Sequence, residues 1–270
     1  MTVIILGILN ITEDSFSDGG RYLEPAKALA RAEFLAKDGA DIIDLGAASS
    51  NPDSKEVPTD VEIARLAPVV AALKSARIPV SVDSFSPAVQ RWALQQDADY
   101  INDVQGFREP ALYDALAASH AKLIVMHAVQ EGGRAERIAV EPDEIIDRVL
   151  GFFERRVAAL EQAGIARQRL ILDPGMGFFL GTKAEASYRV LRALPRLRAA
   201  FSLPVLVSVS RKSFLRRLTA RGLEEVGAAT LAAELFAAEQ GADYIRTHNP
   251  GALRDGLLVR QALQGDSPVA

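Results

Sequence analysis

Asn10, Asp83, Asn102 with Asp103, His127, Asp173, and Arg246 with His248 each stand at the end of a short apolar run. Asp83, Asn102 and Asp173 form one chemical set. Carboxylates and amides in an otherwise apolar cavity suit a nitrogen heterocycle, because they complement its ring N–H and amino groups in a fixed plane. A buried Asp without such a partner would be costly. Asp103 and Ser84, by contrast, fit ordinary helix caps. A second set is basic: Ser208-Val209-Ser210-Arg211-Lys212-Ser213 and Ile245-Arg246-Thr247-His248. Arginine with histidine after the last strands of a repeating α/β chain suits an oxyanion, and barrel enzymes frequently bind phosphate there. Arg211 taken alone fits a solvated helix start. Asn10 opens the stretch Asn10 to Gly20, rich in oxygen ligands with two glycines. It suits covering a phosphate or holding a hard cation, since Mg²⁺ takes one or two protein ligands plus substrate phosphates; it also suits a plain turn between strand and helix. His120 reads as an exposed loop residue, Trp92 as helix packing, and His127 as ordering either a substrate or the loop beside it.

Eight β-rich segments carry these residues: Val3 to Leu9, Asp41 to Gly46, Pro79 to Asp83, Tyr100 to Val104, Lys122 to His127, Arg169 to Asp173, Pro204 to Ser208 and Asp243 to Thr247. They alternate with segments of helical period, the pattern of a parallel sheet built from β-crossover-β units. Eight units in 270 residues average about 34 residues each, near the ~250 residues typical of an eightfold barrel. The expected fold is therefore α/β, a single (β/α)8 TIM barrel spanning residues 1–270, with 264–270 as a loose tail. An open doubly wound sheet is the structural alternative, but its glycine fingerprint is missing after the first strand. Gly39-Ala40-Asp41-Ile42-Ile43, Asp97-Ala98-Asp99-Tyr100-Ile101 and Gly241-Ala242-Asp243-Tyr244-Ile245 repeat one phrase, expected at the barrel bottom, where glycine supplies a left-handed helix cap in two of the three. Glu144 to Gln162 carries apolar Ile145, Val149, Phe152, Phe153, Val157 and Leu160 at helical spacing and is expected to bury them.

Composition narrows the function classes. Hydrophobic residues make up 49% of the chain, enough for a sizeable core, and there is no cysteine, so no disulfide, thiolate metal site or thiol nucleophile is available. A formal charge of -4 gives no general attraction to nucleic acid or to an anionic membrane; an anionic ligand has to be met by a local basic cluster. Without a signal-peptide core or a membrane-length apolar run, the expectation is a cytoplasmic protein with no nucleic-acid or membrane partner.

Leu9-Asn10-Ile11-Thr12 with Asp14-Ser15-Phe16-Ser17-Asp18-Gly19-Gly20, Ser81-Val82-Asp83, Ile101-Asn102-Asp103, Val125-Met126-His127, Leu172-Asp173-Pro174-Gly175, Ser210-Arg211-Lys212-Ser213 and Arg246-Thr247-His248 together resemble dihydropteroate synthase, in order, from about residue 3 to residue 260. The resemblance implies a folate-pathway transferase that joins 4-aminobenzoate to 7,8-dihydropterin-6-ylmethyl diphosphate and releases diphosphate. It implies pterin binding by Asp83, Asn102, Asp173, Phe178 and Lys212, with Asp83, Asp173 and Lys212 as the catalytic groups. Asn10, Arg246 and His248 would meet the diphosphate, with Mg²⁺ at Asn10. Ser50, Phe178, Phe179, Lys212 and Ser213 would border the aminobenzoate. A homodimer is implied, as are loops at 11–20 and 47–57 that close over the site.

Two departures stand out. Relatives usually carry Ser-Thr-Arg-Pro-Gly where this chain reads Ser49-Ser50-Asn51-Pro52-Asp53, and a usual Gly-Phe-Gly-Lys becomes Gly177-Phe178-Phe179-Leu180-Gly181, in a stretch two residues longer. Both are similar to the sulfonamide-insensitive Sul-type branch, as are Gly106-Phe107 and Leu231-Ala232-Ala233-Glu234-Leu235. A bulky group near Phe178 or Phe179 is expected to narrow the pocket against the larger sulfonamide. The alternatives are a pterin-dependent methyltransferase, which would need a corrinoid partner and has no use for the diphosphate groups, and a noncatalytic pterin-binding protein.

Overall fold

Eight parallel strands run around a barrel in the order of the chain. In the structure, a computed structural model that describes residues 3–12 and 24–265, they are β1 (Ile4–Asn10), β2 (Ile42–Gly46), β3 (Val80–Asp83), β4 (Tyr100–Asp103), β5 (Lys122–Met126), β6 (Leu170–Asp173), β7 (Leu206–Val207) and β8 (Tyr244–Thr247). Each expected strand is present. The sheet order is β6-β5-β4-β3-β2-β1-β8-β7, and a parallel bridge between Leu172 and Val205, with the Leu172 N–H donating to Pro204 O at 2.9 Å, joins the two ends. The loop Asn10 to Gly20 lies outside the described residues from Glu13 onward, as does the tail from residue 266.

Strand alternation sorts the side chains into an inside and an outside. Leu6, Ile42, Ile124, Ile171, Leu206 and Tyr244 pack together inside the barrel with Ile4 and Tyr100, plugging its lower half. The outward set, including Ile5, Leu9, Ile43, Val82, Ile101, Leu123, Val125, Leu172 and Ile245, packs beneath the helices in the main core. The helix Ile145–Gln162 buries all six apolar residues expected of it. A filled lower barrel leaves the C-terminal rim as the place where polar inward side chains can meet a ligand.

The repeated phrase has a specific job at the barrel bottom. Gly39, Asp97 and Gly241 all adopt left-handed φ (+103°, +55° and +92°), ending a helix and turning the chain into the next strand. The aspartate two residues later then closes the ladder: Asp41, Asp99 and Asp243 accept the backbone N–H of Ile5, Val80 and Val205 at 2.8, 2.9 and 2.9 Å. Each carboxylate thus satisfies a donor at the start of the preceding strand that would otherwise lack a partner.

Candidate active site

The rim encloses a cavity of about 470 Å³. Period-2 alternation delivers its walls. Asn10, Asp83, Ser208, Ser210, Arg246 and His248 point inward from the strand ends, whereas Asp103 and His127, one position out of phase, point away. Asp103 instead accepts the Gln105 and Phe107 N–H groups at 2.9 and 2.7 Å. His127 packs edge-on against Phe152, ring centroids 5.2 Å apart, with Nδ1 3.1 Å from Pro174 O, so it orders the loop after β6. Burial lowers its pKa to about 4. In the same loop Gly175 donates its N–H to Asp173 Oδ1 at 2.8 Å, at φ +73°; a Cβ there would sit 2.4 Å from His127 O, so only glycine fits.

Arg246 organises the floor. Its Nε donates to Asp44 Oδ2 and its Nη2 to Asp83 Oδ2, both at 2.6 Å. Asp44 is fully buried and Arg246 only 14% exposed at the side chain. Burial works against the Arg246 charge, but the two carboxylates outweigh it and hold the pKa above its ordinary value. Burial likewise raises Asp83 to about 7 against the pull of Arg246. Asp173 rises to about 6 for the same reason, opposed by the Gly175 N–H and by Lys212. Lys212 falls to about 8, through burial and then the nearby Arg246. Asn102 and Asp173 are buried next to this floor, outside the residues that line the open cavity, and Asn102 Oδ1 and Asp44 Oδ1 have no hydrogen-bond partner among the described residues.

The opposite wall and the mouth are basic. Arg137, Arg211, Lys212, Arg216, Arg217 and Arg246 line the cavity against two carboxylates, Asp53 and Asp83, which favours an anionic ligand in a protein of negative net charge. Arg211 is held at φ +59°, an uncommon conformation for a side-chain-bearing residue, with its N–H donating to Thr230 Oγ1 at 3.2 Å. Lys212 Nζ lies 5.2 Å from the centre of the Phe179 ring, and Ser213 opens the helix Ser213–Thr219 beside it. Phe178 has two guanidiniums against its ring, those of Arg137 and Arg217, each 5.9 Å from its ring centre. The loop after β2 is tied down across the mouth: the Ala135 N–H donates to Ser50 O at 2.8 Å, Arg134 to Ser54 O at 2.8 Å, and Arg137 grips both oxygens of Asp53. Arg137 reaches this rim from the loop after β5.

Of the residues assigned a ligand in the sequence, all but Asn102 and Asp173 line the cavity and those two are buried beside it, whereas His127 and Asp103 turn away from it. Sequence reasoning missed Asp44, Arg137, Arg216 and Arg217. Asp44 was signalled, since it lies two residues after inward Ile42. Arg216 and Arg217 follow Lys212 by about one helical turn, whereas nothing local marks Arg137. Among the described residues no cluster of three His, Asp or Glu side chains forms a metal site; Asn10, with an amide oxygen at the cavity wall, is of the right chemistry for a hard cation shared with phosphates. No described helix is long and apolar enough to cross a membrane.

Residues 6–248 match the family described as pterin binding enzyme. The chain is 59% identical over 263 residues to dihydropteroate synthase type-2 of Escherichia coli, covering 97% of both chains. Among solved structures, it resembles the Xanthomonas albilineans dihydropteroate synthase with 4-aminobenzoic acid (TM-score 0.88, 38% identity, 97% of this chain and 93% of that one). The same enzyme in complex with 7,8-dihydropteroate gives a TM-score of 0.84 at 37% identity, covering 97% and 94%.

Proposed function

The chain belongs to the pterin binding enzyme family, and on that premise we propose how it acts as a dihydropteroate synthase, joining 4-aminobenzoate to 7,8-dihydropterin-6-ylmethyl diphosphate with release of diphosphate. The observation that carries the assignment is the polarity of one cavity: buried carboxylates and an amide at its floor, and basic side chains along its wall and mouth.

Asp83, Asn102 and Asp173 accept from the ring N–H and amino groups of the pterin, giving Asn102 Oδ1 the partner it lacks within the protein. Lys212, protonated at neutral pH with a pKa of about 8, lies on the other face of the pocket. The diphosphate is met by His248, by Asn10 and by the charge of Arg246, two of whose nitrogens are already engaged by Asp44 and Asp83. Asn10, together with substrate oxygens, would hold a Mg²⁺ ion, which would supply further charge neutralisation of the leaving group. In the reaction the methylene C–O bond breaks and its electron pair leaves with the diphosphate. The aniline nitrogen then donates its lone pair to the methylene carbon, forms the C–N bond and loses a proton to solvent or to the released diphosphate. The acidic floor lies nearest the pterin cation and the basic wall nearest the departing anion, so both developing charges meet preorganised partners. The strapped loop after β2 shields the cation from water, which would otherwise capture it.

Phe178 and Phe179, on the short turn Gly177–Leu180, border the aminobenzoate with Ser50, Lys212 and Ser213. Phe178 packs near the Arg137 and Arg217 guanidiniums at the pocket wall, where its bulk would oppose a substituent larger than a carboxylate; this supports a pocket insensitive to sulfonamides. The whole chain acts as one domain in the cytoplasm, as a homodimer; exposed Phe236, Leu258, Val259 and Leu263 on the last two barrel helices support a second copy as the partner. Equilibrium binding tests the site. A pterin should bind in the presence of Mg²⁺ and inorganic diphosphate, and Asp83→Asn and Asp173→Asn should each weaken it at least tenfold; binding unchanged in both variants would overturn the placement.

A further inference from the structure

The two walls of the aminobenzoate pocket meet through a third loop. On one side stands the loop after β2 with Ser50, on the other the turn Gly177–Leu180 with Phe178 and Phe179. Among the described residues no hydrogen bond joins these walls directly; each is bound instead to the loop 127–141 that follows β5. Near its start the Val129 N–H donates to Phe179 O at 3.0 Å. Near its end Ile138 O accepts the Thr182 N–H at 3.0 Å, just past the same turn. Its middle holds the β2 loop: Ala135 donates to Ser50 O and Arg134 to Ser54 O, both at 2.8 Å, and Arg137 takes both oxygens of Asp53. The Ala135 side chain, 4% exposed, belongs to one apolar cluster with Val104, Met126, Ala128 and Phe179, against which Phe85 and Phe178 pack. Ala135 thus fixes a backbone oxygen of one wall and packs in the cluster that supports the other.

Gly133, two residues earlier, seats this loop on the barrel frame. A Cβ at that position would overlap Cγ and Cδ2 of Phe85 and lie 2.8 Å from Cε2. Rotating the ring about its Cβ–Cγ bond leaves Cγ in place, so a ring flip gives no relief. Gly133 is not among the glycines at left-handed φ, so the close approach requires glycine here, rather than the backbone conformation. Phe85 in turn follows Ser84, which is tied to the frame: its N–H donates to Asn102 O at 3.1 Å and its carbonyl accepts the Gln90 Nε2 at 2.6 Å. Restoring an ordinary carbon contact of ~3.5 Å after adding a Cβ means parting loop and ring by on the order of 1 Å. A closely packed cluster transmits such a shift instead of absorbing it.

We infer that the loop 127–141 is the spacer that sets the width of the aminobenzoate pocket, with Gly133 and Ala135 as specificity-determining residues for the choice between 4-aminobenzoate and bulkier aryl amines. The inference rests on the proposed placement of the aminobenzoate between Ser50 and the Phe178–Phe179 turn. Width matters at this scale, since one methylene in an apolar pocket separates ligands by about 10–200-fold. Neither wall needs to change for selectivity to change; moving their common spacer is enough.

Gly133→Ala tests this, together with a Phe85→Ala/Gly133→Ala double variant that removes the ring the new methyl would strike. Amide hydrogen exchange over residues 133–136 reads the loop with no ligand present. The Ala135 amide, held by Ser50 O, should exchange faster in Gly133→Ala and recover protection in the double variant. Steady-state kinetics should show a raised KM for 4-aminobenzoate and a lowered Ki for sulfamethoxazole in Gly133→Ala. The ratio of Ki to KM should fall about tenfold, with KM for dihydropterin diphosphate within about twofold of wild type, and the double variant should regain most of the ratio. Faster exchange with an unchanged ratio would overturn the inference, as would equal weakening toward both substrates, the mark of general loosening. Unchanged exchange would overturn it too, because Gly133 would then not seat the loop. A wild type already stopped at low drug, with KM for 4-aminobenzoate alone raised in Gly133→Ala, would sink the sulfonamide-insensitive pocket and support the spacer.

Discussion

Asp44→Ala probes the floor of the site most sharply, because Asp44 touches no open cavity surface and acts through Arg246. Asp44 is fully buried, and its Oδ2 takes the Arg246 Nε at 2.6 Å. Stripping one partner from a buried ion pair costs about 3–5 kcal/mol when the remaining charge is left alone. Arg246 keeps Asp83 at 2.6 Å and retains 14% side-chain exposure, so the loss should fall at or below the lower end of that range, about 2–3 kcal/mol. Activity should fall further than stability alone explains. The guanidinium loses one of its two anchors, and a displacement near 1 Å can lower kcat/KM by about 10²-fold. Asp44→Asn, which keeps the shape and an acceptor oxygen, should lie between wild type and alanine. Urea unfolding and steady-state diphosphate release read the two effects separately. An Asp44→Ala protein within 0.5 kcal/mol (on the order of ordinary surface substitutions) and within twofold of wild-type kcat/KM would show that Arg246 does not depend on Asp44.

Three further outcomes follow from the geometry. His127 falls from 6.5 to about 4 on burial; below pH 6.5 the unfolded chain takes up a proton that the native one refuses, so stability is lost as the pH drops from 6.5 to 4, by about 3 kcal/mol. His127→Gln should remove that part of the acid dependence in urea titrations run across this window, and an unaltered slope would refute it. Gly175→Ala places a Cβ 2.4 Å from His127 O at φ +73° and should destabilise by at least about 2 kcal/mol; a melting temperature matching wild type would contradict the turn. Shortening the Gly177–Leu180 turn by two residues should lower the half-inhibitory concentration of sulfamethoxazole by at least about tenfold, whereas unchanged inhibition would remove Phe178 and Phe179 from the account of drug discrimination.

The strands were legible because each ends its apolar run with a polar residue, and all eight lie within a residue or two of their expected bounds; β7 is the shortest, with only Leu206–Val207 in regular ladder and Val205 supplying the closing bridge. Adjacent residues with opposite fates were harder. Asn102 and Asp103 read alike in sequence, yet the pleat sends one to the cavity floor and the other to its own loop backbone. Ion-pair partners could not be read, because Arg246 meets Asp83 and Asp44 across 163 and 202 residues of chain. The same holds for Arg137 and Asp53, 84 residues apart on two irregular loops with no period to align them. Conversely, the meaning of the repeated Asp41, Asp99 and Asp243 was visible as a phrase and became physical only when each carboxylate was seen on a neighbouring strand's N–H.

The most direct test is diphosphate release by the purified protein given dihydropterin diphosphate, 4-aminobenzoate and Mg²⁺, titrated with sulfamethoxazole. The account predicts formation of 7,8-dihydropteroate in step with diphosphate, persisting at drug concentrations that silence a sulfonamide-sensitive synthase. Turnover that stops at low drug would contradict the altered pocket, and no turnover in the presence of both substrates would contradict the catalytic assignment itself.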